Sequence, residues 1–457
     1  MQGFFILLIL LSILSSVCFG FSFRTNGNFV TIQGFESKVL KNKRTIRVFL
    51  PSDYFNSTNY YPVLYAHDGQ NVYYDEKNKA KWDVDKTTEI LVKEGKIRDV
   101  VIVGIDHMGV DRIKEYTPFP FESYGGGAGE LYGKFLVEEL KPFIETNFRV
   151  KTNRDSVGTF GSSLGGLISL YLGMWYPEVF GTVGCFSPSF WWGLERTKSN
   201  VVRNLDKLST LKIYIDMGYS EGGNQESESN IVYTTREICN ILLTKIDYPR
   251  LLYIEDKKGI HNEISWKERM SNFLVFTLSK ESLSQEITSI QLDVHPSEWG
   301  VGDKGFVFIN ATTKDGIVRT IYQLTPSLEK FKYLGNGYIE ATESGKGKVS
   351  VSIGKLSSSK EINIDTLSRK FGVANINVFA TSADVEFLVE DEDGKKTNYT
   401  IKLTILSNGE RQNLFFTSIT NVRGKSYKGK FILDGKIDEG VKQIVINRRL
   451  KEYKFKF

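Results

Sequence analysis

The sequence predicts a doubly wound, mostly parallel α/β sheet followed by one or two β-sandwich domains. Three observations carry this. From about Thr31 to Leu283, short apolar runs alternate with amphipathic stretches, the β-to-α rhythm of a doubly wound sheet. Several of those runs are apolar throughout, as central strands covered on both faces require. Around Ser282–Gln285 the pattern changes to β-branched runs with period two. These are punctuated by Asp315-Gly316, Asn336-Gly337, Ser344-Gly345, Asp393-Gly394, Asn408-Gly409 and Asp434-Gly435, the turn signals of antiparallel sheets.

In chain order, the expected strands are Phe29–Gly34, Thr45–Leu50, Val63–His67, Val100–Ile105, Val157–Gly161, Thr182–Ser187, Lys212–Met217 and Leu251–Glu255. Amphipathic spacing predicts helices over Asp85–Glu94, Gly129–Thr146, Leu164–Trp175, Ile231–Thr244 and Glu263–Leu278. With 457 residues the chain is too long for one ordinary core. It divides into a leader (1–20), an α/β domain (21–283), a β-sandwich (284–366) and a second β-rich domain (367–457).

The leader is apolar from Phe4 to Val17, interrupted by Ser12, Ser15 and Ser16, and ends in Cys18-Phe19-Gly20. That reads as a cleaved signal peptide; the run is shorter than the roughly 20 residues that span a bilayer. The expectation is a secreted protein, extracellular and free of the membrane after cleavage. Sequons at Asn56, Asn310 and Asn398 fit a glycosylated secretory product. Cys185 and Cys239 remain after cleavage and could be one disulfide or two buried thiols.

The net charge of +5 is small for this length and points to no nucleic-acid partner. Asn421–Phe457 is locally basic, with eleven Lys or Arg against four Asp or Glu. It is either a solvated face or a surface with affinity for an anionic partner such as an acidic polysaccharide. No Cys or His spacing suggests a metal site. Gly125-Gly126-Gly127 lacks the Lys and the preceding strand of a phosphate loop, so no cofactor is expected.

The chemistry is carried by Gly161-Ser162-Ser163-Leu164-Gly165. This Gly-x-Ser-x-Gly follows an expected strand and opens an expected helix, the context of the nucleophile elbow in α/β-hydrolases. Ser163 is the expected nucleophile, and the N–H of Leu164, at the helix N-terminus, the first oxyanion donor. A Ser hydroxyl needs a base. Of His67, His107 and His261, only His261 follows Ser163 within the α/β domain, as the chain order Ser, acid, His requires. The acid is expected after the strand Lys212–Met217. Glu221 is the first choice and Asp216 the second, with Glu226 and Glu228 read as solvated loop charges. The loop His67-Asp68-Gly69-Gln70-Asn71 is expected to supply the second oxyanion donor from the N–H of Gln70. Trp191 and Trp192 are candidates for a substrate pocket, with core packing as the equal alternative for each. Arg112 is a candidate for a substrate carboxylate or phenolate, with an ion pair to Glu115 as the alternative.

On these residues the segment 30–282 resembles the esterase family of α/β-hydrolases that includes enterobactin esterases, feruloyl and acetyl xylan esterases, esterase D and the mycolyltransferases. The resemblance rests on His67-Asp68-Gly69-Gln70-Asn71, Arg112-x-x-Glu115-Tyr116-Thr117-Pro118, Gly161-Ser162-Ser163-Leu164-Gly165-Gly166, Ser187-Pro188-Ser189-Phe190-Trp191-Trp192 and His261-Asn262-Glu263-x-x-Trp266. It implies Ser163 as nucleophile, His261 as base and the loop at Glu221 as home of the acid. Some relatives work with a Ser–His dyad. Glu286–Ile364 resembles bacterial Ig-like domains, which implies a spacer or adhesion module. The expected activity is hydrolysis of a small-molecule or polysaccharide ester. The rivals are acyl transfer on the same fold and a non-catalytic adhesion protein on a hydrolase scaffold.

Overall fold

The computed structural model describes residues 22–365, apart from 75–80, 122–123, 222–224, 296–298 and 303, and beyond 370 the backbone of the strands. The expected leader lies outside the described residues, as do the side chains of Asn398, Glu226 and Glu228.

One sheet of nine strands organises the first part: β1 (Ser22–Asn26), β2 (Phe29–Ser37), β3 (Asn42–Phe49), β4 (Val63–His67), β5 (Val101–Ile105), β6 (Val157–Ser162), β7 (Thr182–Phe186), β8 (Lys212–Gly218) and β9 (Leu251–Asp256). Their spatial order is β1-β2-β3-β5-β4-β6-β7-β8-β9. The last six in this order run parallel, and β1 to β3 extend the sheet antiparallel at one edge. Every residue of β4, β5, β6 and β7 is buried, which is why their sequences are apolar throughout instead of alternating.

The helices used below are α1 (Val84–Lys93), α2 (Leu164–Trp175), α3 (Leu194–Arg203), α4 (Gln225–Leu243) and α5 (Glu263–Leu278). Phe273 of α5 packs on Phe160, Phe186 and Tyr214. On α2, a Cβ at Gly173 would meet Val183. Phe160 and Phe186 sit one or three positions from strand residues of the Val183 set, so the two helices cover opposite faces. The sheet is doubly wound, as expected.

Three departures have local causes. β1 is a five-residue edge strand too short for periodicity to reveal. In α3, only Thr197 and Val201 are buried, leaving too narrow an apolar stripe to read. The helix expected over Gly129–Thr146 breaks into Gly129–Lys134, a π-helical segment Phe135–Leu140 and Lys141–Asn147. Pro142 has no N–H to continue the ladder there. Cys185 and Cys239 are both buried free thiols, and burial pushes both away from the reactive thiolate.

The compact unit built on this sheet comprises residues up to Tyr219, Ile231–Glu286 and Thr313–Arg319; a second holds Ser220–Asn230, Ile287–Thr312 and the chain from Thr320. In the second, Ile287–His295, Lys304–Thr313, Tyr338–Ala341 and Phe331–Gly335 form one sheet. Trp299–Gly300, Leu356–Asp365, Gly345–Ile353 and Ser327–Glu329 form another. Val307, Ile309 and Ile339 of the first sheet share a core with Trp299, Val349, Val351 and Ile362 of the other, the arrangement of a β-sandwich. From Lys370 to Lys456 the strands pair antiparallel in a single meandering sheet. Among the described residues no helix is long and apolar enough to cross a membrane.

In the α/β unit, the carboxyl ends of the parallel strands lie along one edge, where ligands bind in open α/β sheets. Because β4 and β6 are neighbours, the loop Asp68–Asn71 and the β6–α2 turn emerge side by side.

Candidate active site

Ser163 occupies the turn between β6 and α2 with φ 57° and ψ −121°, a conformation that costs a non-glycine residue about 1–3 kcal/mol. The flanking glycines make the turn sterically feasible. A Cβ at Gly161 would lie 2.9 Å from both Gly165 and the His67 ring, and one at Gly166 3.1 Å from the Phe186 carbonyl. The backbone is pinned from β7 and beyond. Ser163 N–H donates to the Phe186 carbonyl at 2.9 Å, and the Ser163 carbonyl accepts from Leu167 N and Ser189 N, each at 3.1 Å. The half-buried Ser163 hydroxyl shares a hydrogen bond with Ser189 Oγ at 3.2 Å. Leu164 is the first residue of α2, so its N–H is one of the donors that no helical carbonyl satisfies.

The neighbouring loop is held at every residue. Asp68 takes a left-handed conformation (φ 58°, ψ 46°) to start a single helical turn, Gly69–Val72, and a Cβ at Gly69 would collide with the Gly104 backbone at 2.5 Å. Arg112 clasps the Asp68 carboxylate with two parallel bonds of 2.7 and 2.8 Å. This corrects the expected Arg112–Glu115 pair: Glu115 instead binds the buried Arg44 at 2.6 and 3.1 Å. Two nitrogens of Arg112 are thus committed to Asp68, a bidentate geometry that fixes the loop. His67 is buried, with Nδ1 2.8 Å from Tyr132 Oη and Nε2 3.2 Å from Thr159 Oγ1. Burial brings its pKa down to about 3, so it is a neutral structural imidazole. The N–H of Gln70 belongs to the first turn of the short helix; its side-chain carbonyl accepts from His107 N.

His261 lies in the loop between β9 and α5, exposed at the surface of the unit. Its ring meets Trp266 edge-on, with centroids 5.2 Å apart. Trp266 in turn donates its indole N–H to Ser187 Oγ at 2.8 Å, on the segment whose Ser189 touches Ser163. Asn262 caps α5 by accepting from Ser265 N. The motif His261-Asn262-Glu263-x-x-Trp266 is therefore a capped helix start whose Trp266 ring packs against His261. Glu221 is half-buried just beyond the end of β8. Asp216 lies wholly inside the unit and accepts from Ser187 N at 2.9 Å and Tyr214 Oη at 2.7 Å, with Arg269 3.3 Å away. It holds the Ser187 turn in place.

The two tryptophans separate. Trp192 is only 1% exposed and donates its N–H to the Phe119 carbonyl, so it is a core residue and not the expected pocket wall. Trp191 is 39% exposed and forms an open ring cluster with Tyr124 and Phe121. Of the sequon residues, Asn56 is exposed and Asn310 accepts from Thr320 Oγ1. Sequence reasoning passed over Ser189, Asp68 and Lys81, whose roles depend on neighbours remote in the chain. The one available signal was the position of Ser189, just after the strand that adjoins β6.

The family model described as "Putative esterase" matches residues 37–275. Among similar proteins, the uncharacterized protein YbbA of Bacillus subtilis is 25% identical over 257 residues, which cover 54% of this chain and 98% of YbbA. The ferri-bacillibactin esterase BesA of the same organism is 29% identical over 199 residues, covering 37% of this chain and 64% of BesA. An endo-1,4-beta-xylanase/feruloyl esterase of Xylanibacter ruminicola is 28% identical over 177 residues, covering 36% of this chain and 23% of that protein.

Proposed function

The chain belongs to this esterase family and is a carboxylic ester hydrolase, and from that premise we propose a secreted serine esterase that works through an acyl-enzyme. In this reading Ser163 attacks the ester carbonyl while His261 takes its proton. The N–H groups of Leu164 and Gln70 receive the negative charge on the former carbonyl oxygen. His261 then protonates the departing alcohol, and water repeats the sequence on the acyl-enzyme. Glu221 is the proposed partner of His261, keeping the imidazole oriented and stabilising its protonated form. The observation that carries the reading is the elbow itself: a serine held at φ 57° between two close-packed glycines, beside a loop braced to offer an N–H.

The proposed substrate is a siderophore or an acylated polysaccharide. Support comes from two similar proteins, one named as a ferri-bacillibactin esterase and one as a feruloyl esterase. The exposed Trp191 and Tyr124 rings offer apolar faces to such a molecule. Secretion and glycosylation rest on the apolar leader and the three sequons. Mature protein in the culture medium should begin at Phe21 and lose mass on deglycosylation; an intact Met1 N-terminus in cells would refute export.

Turnover of p-nitrophenyl acetate and butyrate tests the mechanism. Ser163→Ala and His261→Ala should each lower kcat by a factor on the order of 10⁴–10⁶. Residual activity within tenfold of wild type in either variant would remove that residue from the mechanism.

A further inference from the structure

Beside the proposed oxyanion donor lies a buried cation that the mechanism above does not use. Lys81 is 9% exposed, although lysines are almost never buried without a specific partner. Its ammonium donates to the backbone carbonyl of Gln70 at 2.6 Å and to Asn71 Oδ1 at 3.1 Å. Both acceptors are neutral. The adjacent backbone closes the same link, because Trp82 N–H donates to the Asn71 carbonyl at 3.1 Å. The Asn71 amide, held at its oxygen by Lys81, donates from Nδ2 to Glu263 Oε1 at 3.2 Å. Glu263 is the first residue of α5, two positions after His261.

From this chain of contacts we infer that Lys81 is a positioning residue for the ester hydrolysis: by holding the Gln70 carbonyl and the Asn71 side chain it fixes the loop that bears the proposed oxyanion donor. The inference rests on the esterase reading. The contacts do two things that an uncharged core residue could not. They set the orientation of Gln70 from its carbonyl side while Arg112 holds Asp68 from the other. They also fix the Asn71 side chain, which reaches the first residue of α5. Through Asn71 and Glu263, the same ammonium ties the loop bearing the oxyanion donor to the helix that begins at the base. A donor held in this way meets the charge that develops on the carbonyl oxygen. Its contribution grows as the carbonyl oxygen becomes negative, so it appears in kcat rather than in substrate affinity.

The test compares wild type, Ser163→Ala, Lys81→Met and Lys81→Arg. Three quantities are read: kcat and KM for p-nitrophenyl acetate, melting temperature, and the ratio of inhibition constants for a trifluoromethyl ketone and its methyl ketone. The fluorinated ketone forms an oxyanion on the serine, so this ratio reports oxyanion stabilisation apart from binding. Lys81→Met should lower kcat about 10- to 100-fold, less than the loss of a direct donor, with KM within about twofold. The advantage of the trifluoromethyl ketone should fall by a similar factor, and Lys81→Arg should recover most of both. If Lys81→Met does not fold, Lys81→Gln replaces it with the same expectations. A folded neutral variant with wild-type kcat and ketone ratio would overturn the inference while leaving the esterase reading intact. So would a loss that appears only in melting temperature. Absence of turnover in wild type, together with failure of a serine-reactive phosphonate to label Ser163, would overturn the esterase reading and this inference with it.

Discussion

Two loops converge on Ser163 and are built differently. In the first, His67 to Asn71, each polar side chain is tied to a distant element: His67 to Tyr132 and Thr159, Asp68 to Arg112, Gln70 to His107, and Asn71 to Glu263. In the second, Ser187 to Trp192, the fixed residues face inward: Ser187 to Trp266 and Arg269, Trp192 to Phe119. Trp191 alone turns outward. The difference teaches where rigidity is needed. On the proposed mechanism the first loop carries a donor, which loses its effect if it moves by a fraction of an ångström, whereas a ring proposed to meet a substrate can tolerate adjustment.

That contrast can be broken by substitution, starting from the buried anchor of the second loop. Trp192→Ala should cost about 3–5 kcal/mol of stability, measured by urea denaturation; a loss below about 1 kcal/mol would mean that the second loop does not depend on its inward residues. In the first loop, Asp68→Ala strands the Arg112 guanidinium. It should cost about 2–3 kcal/mol, since the arginine keeps some contact with water, and lower kcat on the order of 10²-fold. A variant destabilised this far with full kcat would separate the clasp from the chemistry.

Acid should weaken the first loop selectively. With the folded His67 held down at about 3, the unfolded chain takes up a proton between pH 6.5 and 3 that the folded chain refuses. The corresponding stability is fully present above pH 6.5 and falls by about 1.4 kcal/mol per unit below it, or about 2 kcal/mol at pH 5. Urea titrations at pH 7 and pH 5 should show this difference in wild type and lose it in His67→Gln. The smallest effect belongs to Trp191→Ala. Stability should change by less than about 0.5 kcal/mol, while KM for aryl esters rises a few-fold and KM for acetate esters stays constant. Equal changes for both would remove Trp191 from substrate contact.

The sheet was legible because full burial leaves runs such as Val101–Ile105 no room for polar residues. The elbow was legible because its steric demands admit few residues besides glycine around Ser163. The partners were not. Glu115 stands at helical spacing from Arg112, and local sequence favours that pair, yet Arg44 arrives from β3 and Asp68 from the β4 loop to redistribute it. Trp191 and Trp192 are chemically identical neighbours, and only the path of the chain sends one inward. Lys81 carries no local signal in the sequence, and its carbonyl acceptor becomes visible only when tertiary structure closes over it.

The backbone angles of Ser163 also bear on how this chain could change through descent. Glycine enters the same region of conformational space without penalty, so Ser163→Gly should relieve about 1–2 kcal/mol at the elbow. A lineage released from the need to cleave esters would therefore gain stability by replacing Ser163, the proposed nucleophile, with glycine. On the proposed mechanism, the strain of a serine at φ 57° is the cost of presenting its hydroxyl for catalysis.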